Sequence, residues 1–328
     1  LSLLLLEKTK KLISILRPSQ LWLGLIILFG GFHLFFASST CIAKTQPSKT
    51  VKQTTVVESK NSLKNNLNLK DLASQVEELM AEKKRSDALV LIKSHLSFQQ
   101  KNQTELIELL NQTSEMFLFE KTQQLFEQSA SAVLSDSKLA KERINSALLL
   151  EPDNISLLIL KSWILLGASD CALVYEIAQN IIQLNPMNPE GQLVKAKSYL
   201  CLSNFEKYEE SRATLDIKKM SILPSYKMKW NLLDLESAYK RNQQDKINDL
   251  INEIKKDKKI GLELSYWLWK IQKDRAGLES EAFLYGQKIL SFCKNMTSKQ
   301  QREILSEVSI CKKTNEVESY LKKSSQTE

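Results

Sequence analysis

The apolar positions of this chain fall into runs of helical length. Residues 155–166 carry Leu157, Leu158, Ile159, Leu160, Trp163, Ile164, Leu165 and Leu166, apolar on more than one stripe. A helix with so wide an apolar surface needs several covering neighbours. Gly167-Ala168-Ser169-Asp170 reads as a turn with Asp170 a candidate N-cap, and 171–184 as the antiparallel partner helix. The same reading predicts helices at 69–82, 86–99, 104–133, 136–150, 190–202 and 205–215. "SILPS", Ser221 to Ser225, marks a break, followed by helices at 225–241, 243–257, 260–274, 277–293, 297–312 and 315–323. No stretch shows a run of strand alternation, so the expected fold class is all-α.

Two phrases return in the same order. Pro152 and Asn154 of "EPDN" recur as Pro186 and Asn188 of "NPMN". Lys161-Ser162-Trp163 recurs as Lys197-Ser198-Tyr199, and Gly167 as Ser203, at a slightly longer offset. Before each proline lies an apolar helical run, "INSALLLE" and "AQNIIQLN". Proline lacks an N–H and restricts the residue before it, which stops the run. The asparagine two positions later can cap the next helix. A period of about 34 marks an array of helix–turn–helix units, and stacked units supply the cover that wide apolar helices need.

"SALLLEPDN" and "IIQLNPMNP" resemble the closing phrase of tetratricopeptide repeats. "AKSYLCLSNFEKYEE" resembles their first helix, turn and second-helix start, and "KKRSDALVLIKSHL" another turn and second helix with Ala88 at the small-residue position. The match is clear over about 136–215 and weaker over 70–150. Ser203 replaces the usual turn glycine, Tyr208 stands where a small residue is expected, and the central unit reads as too long by about two positions. The resemblance implies a TPR-like α-solenoid of antiparallel helix pairs, divided here into repeats at 69–222 and a helical lobe at 223–328. It also implies a concave groove for a protein or peptide ligand. Lys161 and Lys197 occupy equivalent places on two first helices in this alignment, which would turn them, with Tyr199, toward acidic groups of a partner.

Composition narrows the picture. The chain has 328 residues, 43% hydrophobic, with only 8 Gly and 6 Pro, and three of the glycines are Gly24, Gly30 and Gly31 near its start. The body therefore lacks the glycine-rich turns of sheets and phosphate loops. The net charge is +8, and the excess lies in the C-terminal part: from Lys218 onward there are 22 Lys/Arg against 15 Asp/Glu. No arginine-rich stripe or nucleic-acid motif accompanies it, so it reads as solvated surface and nucleic acid is not an expected partner.

Enzymatic signatures are missing: no Walker loop, no dinucleotide fingerprint, no H-E-x-x-H and no G-x-S-x-G. The body has one histidine, His95, and no C-x-x-C. No catalytic residue, cofactor or metal is expected. Tyr266, Trp267 and Trp269 in "SYWLWKIQ" are dense enough for a peptide pocket but read first as helix-pair core.

Residues 1–43 combine a basic flank (Lys8, Lys10, Lys11, Arg17) with the apolar run 21–37, interrupted by His33. That is a membrane anchor or signal segment with the N-terminus inside and the body exported. An uncleaved anchor is favoured over cleavage near Ala37-Ser38-Ser39 and over lipidation of Cys41. The chain opens on Leu1 and its first methionine is Met80, so either a non-standard start codon or an incomplete sequence is expected; the former suits a bacterial gene and a periplasmic body. Residues 44–68 read as a disordered polar tether. The expected function is thus a membrane-anchored scaffold or adaptor of a bacterial envelope assembly. The alternatives are a docking receptor with a cytosol-facing body and a cell-wall-hydrolase type of enzyme. In the antiparallel arrangement Cys171, opening one helix, meets Cys201, ending the next, and can form a disulfide in an oxidising compartment. Cys293 and Cys311, placed at the C-terminal ends of consecutive helices, are expected to stay apart.

Overall fold

The computed structural model describes residues 69–96, 103–217, 224–256, 261–296 and 309–325. The apolar run 21–37, Cys41, the tether, residues 218–223 and most of the expected helix 297–312 lie outside them. Among the described residues the regular structure is helical throughout: α1 Leu69–Ala81, α2 Arg85–His95, α3 Gln103–Glu115, α4 Glu120–Ala132, α5 Ser137–Leu150, α6 Ile155–Gly167, α7 Cys171–Leu184, α8 Pro189–Cys201, α9 Phe205–Ile217, α10 Pro224–Lys240, α11 Gln244–Ile254, α12 Leu262–Gln272, α13 Glu279–Lys294 and α14 Thr314–Ser324. No described helix is long and apolar enough to cross a membrane.

From α4 to α13 each helix packs on its sequence neighbour, apart from α9 with α10 and α11 with α12, where that packing is slight or absent. Alternate helices α6, α8, α10 and α12 also touch one another and form a layer, and α13 packs on α14. Fully buried alanines sit on many of these helices, among them Ala130, Ala140, Ala147, Ala178, Ala196, Ala238 and Ala282. A side chain that small lets neighbouring backbones come close while larger apolar groups fill the flanks. Gly191 is the extreme case, since a Cβ there would overlap Cγ2 of Ile181 where α8 crosses α7.

Four turns, α1–α2, α6–α7, α8–α9 and α10–α11, share one geometry. Lys83, Ser169, Ser203 and Asn242 have φ of 61°, 60°, 57° and 55°. In each case the N–H of the next residue reaches back five positions: Lys84 to Leu79, Asp170 to Leu165, Asn204 to Tyr199 and Gln243 to Ala238, at 2.8–3.0 Å. This is a left-handed helix stop with its two carbonyls satisfied. Ser203 takes that conformation in place of glycine.

The corners between pairs are equally regular. Asn154 Oδ1 accepts from Leu157 N at 3.3 Å, and Asn188 Oδ1 from Gly191 N at 2.7 Å. Both asparagines are buried, as are Glu151 and Asn185 three positions before them. The caps Asn154 and Asn188, the corner residues Glu151 and Asn185, and the left-handed Ser169 and Ser203 all recur at the offset that separates Pro152 from Pro186. The unit therefore keeps one length throughout, and the expected two-residue extension is absent.

The expected helix 104–133 is two helices. The chain turns at 116–119 because that backbone is taken up elsewhere. Leu118 N and Phe119 N donate to Glu151 Oε1 at 3.0 and 3.1 Å, and Met116 O accepts from Asn154 Nδ2 at 3.2 Å and from Arg85. Arg85 and Glu151 are both buried and paired at 2.6 Å, with Asp153 at 2.9 Å from the same guanidinium. Hence α1–α3 dock against the corners rather than adding one more pair to the row. Tyr208 is buried where a small residue was expected, and its hydroxyl reaches Asp234 of α10 at 2.5 Å, so it ties α9 to α10.

The last residues return to the start of the row. Lys312 Nζ lies 3.0 Å from Ser137 Oγ on α5, and Met296 packs against the core of α4–α6.

Breaking the Arg85–Glu151 pair should cost about 3–5 kcal/mol, because the partner left behind is a buried charge. Arg85→Met and Glu151→Met are each expected to show that loss in urea denaturation of the full chain, and the double variant less than the sum. Burial pushes the Glu151 carboxyl up, but Arg85, Asn154 and the Leu118 N–H outweigh it and hold it below the usual range. The stabilisation is therefore present above the unfolded carboxyl's pKa of about 4.3 and lost as pH falls below it. Glu151→Gln should flatten that acid limb.

Candidate functional site

The layer α6, α8, α10, α12 encloses a cavity of about 310 Å³. Trp163 faces it from α6, Lys197 from α8, Glu236 and Lys240 from α10, and Glu263, Tyr266, Trp267 and Lys270 from α12. Ser309, Ile310 and Lys313, just before α14, close one side, and Cys171 with Cys201 forms part of the rim.

The repeat explains who faces in. Trp163 and Lys197 each lie nine positions after their capping asparagines, so they are the true equivalents and both reach the cavity. Lys161 lies seven positions after its cap and corresponds to Lys195. The expectation that Lys161 and Lys197 are equivalent is thus corrected: two positions are about 200° around a helix. The Lys-Ser-aromatic phrases match in letters, not in place.

Lys161 is half-buried on α6. Burial, and then Lys141 of α5, push its ammonium below the usual range. Lys197 is ion-paired with Glu236, whose other oxygen lies 3.0 Å from Lys240. Burial alone would push the Lys197 ammonium down and the Glu236 carboxyl up, but their mutual attraction, with Glu263 and Lys240 adding, reverses both. Lys197 is therefore spent inside the fold and is not offered to a partner. Tyr199 is 7% exposed, its ring 5.5 Å from that of Tyr175. Burial, and then Tyr175, push its hydroxyl up to about 12.

In "SYWLWKIQ" the three aromatics divide. Trp269 is core, edge-on to Tyr320 at 6.1 Å. Tyr266 and Trp267 are mostly buried with one edge on the cavity. Lys270 stands over them: its Nζ is 5.6 Å from the Tyr266 ring, 5.8 Å from Trp267 and 5.7 Å from Tyr239. Burial, and then Lys313, push the Lys270 ammonium down.

Two carboxylates, Glu236 and Glu263, line the cavity. A glycosidase-type mechanism needs one carboxyl with a raised pKa as general acid. Glu236 is held ionised by two lysines and so is not tuned as that acid. Among the described residues no group of His, Cys, Asp or Glu is arranged to hold a metal ion. No family model and no curated protein sequence matches the chain.

The structure joins Cys171 to Cys201, Cα atoms 5.6 Å apart, across the start of α7 and the end of α8. It also joins Cys293 to Cys311, Cα atoms 5.4 Å apart, which corrects the expectation that they stay apart. Cys311 sits just before α14, and α14 packs on α13, so the start of α14 meets the end of α13.

In protein denatured without reductant, Cys41 should be the one cysteine open to a thiol reagent; labelling of any of the other four would remove a bridge. Closing a loop of 30 residues is worth about 3–4 kcal/mol, so Cys171→Ser/Cys201→Ser should lose that much in urea denaturation. Glu236→Gln should cost about 3–5 kcal/mol by stranding Lys197 and Lys240. Lys161→Met should stay within about 0.5 kcal/mol of wild type.

Proposed function

We propose that the chain is a membrane-anchored TPR-like α-solenoid, a scaffold that binds a protein or peptide partner in a bacterial envelope assembly. The observation that carries this reading is the repeated unit of capped corner and left-handed helix stop, with the same hydrogen bonds at 151–170 and 185–204. Such stacked units present extended surfaces for binding. The anchor is the apolar run 21–37 and the body is exported. Two disulfides favour that side of the membrane over a cytosol-facing body, because cytosolic thiols are kept reduced. The partner's seat lies on the surface of α6 near half-exposed Lys161, apart from the cavity that Ile310 closes.

Alkaline phosphatase fused at the C-terminus should be active, because the enzyme works only after export. An inactive fusion would overturn the exported body. A photo-cross-linking residue at Lys161 should give a discrete adduct in intact cells, and one at exposed Lys288 on α13 should not. No adduct at Lys161, or the same adducts at both positions, would overturn the proposed seat.

A further inference from the structure

Among the described residues six charged side chains line the cavity, four lysines against two glutamates. Glu236 is shared by Lys197 and Lys240. Lys270 and Lys313 are different. They approach the same ring from different chain segments, with Nζ atoms 5.6 and 5.7 Å from the Tyr266 centroid. Among the described residues neither makes an ion pair, and their side chains' polar and ring contacts are to aromatic groups, including the Tyr266 hydroxyl at 3.4 Å from Lys270.

An aromatic face attracts an ammonium without cancelling its charge. Two ammonium groups at one half-buried wall therefore repel, and an anion between them relieves the repulsion. Burial first, and then Lys313, depress the Lys270 ammonium, while Glu316 and Glu236 offset only part of that.

The remaining walls select the anion. Trp163 and Trp267 offer flat apolar surface. The volume, 310 Å³, is at the lower end of small-molecule sites. Among the described residues no arginine lines the cavity to supply the bidentate fork that favours phosphate. We propose that the cavity binds a small organic carboxylate, its carboxylate group between Lys270 and Lys313 and its apolar part against Trp163 and Trp267. This site stands independently of the partner surface near Lys161.

The test uses the full chain purified in mild detergent at low ionic strength, titrated by calorimetry and by tryptophan fluorescence. The probes are benzoate, 3-phenylpropionate and hexanoate, with benzamide as the uncharged isostere of benzoate and inorganic phosphate as the inorganic anion. At least one carboxylate should bind saturably and perturb tryptophan emission, and benzamide should not. Lys270→Gln/Lys313→Gln should weaken that binding by about tenfold or more, and Lys121→Gln/Lys288→Gln, on exposed surface, should leave it unchanged.

Melting supplies a control for folding. Without ligand, Lys270→Gln should melt at or above the wild-type temperature, because a repulsion has been removed. With ligand, only the wild type should gain. Equal affinity in the double variant, equal binding of benzamide, saturable binding of phosphate alone, or no saturable carboxylate in the panel would each overturn the proposal.

Discussion

The buried pair of Arg85 and Glu151 sets how the N-terminal helices meet the rest. A charged pair taken out of water is stable only if its remaining donors and acceptors find partners. Glu151 takes both N–H groups of the 118–119 turn, Arg85 and Asn154, and Arg85 also reaches Met116 and Asp153, so that of the guanidinium nitrogens Nε is the one left without a partner among the described residues. Those contacts join the start of α2, the break between α3 and α4, and the corner before α6. With Arg85 fixed there, α2 and α3 lie across the corners. The next corner repeats the grip with two asparagines and no arginine. Asn185 Nδ2 bonds Asn111 at 2.8 Å and Ser114 at 3.3 Å, and Asn188 Nδ2 bonds Glu115 at 2.8 Å. One helix end is thus held by two successive corners, and the repeat length in the sequence becomes a spacing along α3.

What was legible in the sequence was local. Most helix positions follow from apolar runs, proline stops and asparagine caps, and those are set by residues within one turn of each boundary. The break at 116–119 was not legible. "MFLF" is as apolar as any helix here, and the groups that unwind it come from Glu151 and Asn154, far along the chain. The phrase "KSW" and its echo "KSY" misled for a different reason. Lysine and serine recur by composition in so lysine-rich a chain, whereas a cap is fixed by the geometry of a helix start. Counted from the caps, Trp163 matches Lys197, and both enter the cavity. The pairing of Cys293 with Cys311 was hidden because nothing local to either cysteine shows that α14 folds back on α13.

The basic excess of the C-terminal half also reads differently in three dimensions. As sequence it is solvated surface. In the fold, three of its lysines, Lys240, Lys270 and Lys313, line one cavity together with Lys197 from the repeat before them. Charges of one sign are held close only where the walls cannot relax apart. Helix packing through alanines leaves little room for movement, but it resists separation only as strongly as the apolar area it buries. The two disulfides add a covalent limit at two places. Cys171–Cys201 ties α7 to α8 at the rim, and Cys293–Cys311 ties α13 to the segment carrying Ile310 and Lys313. Both bridges therefore restrain walls of the same cavity. Restraining a site in its bound shape lowers the ordering cost of binding, so the bridges stabilise the crowded lysines and prepare the site in one step.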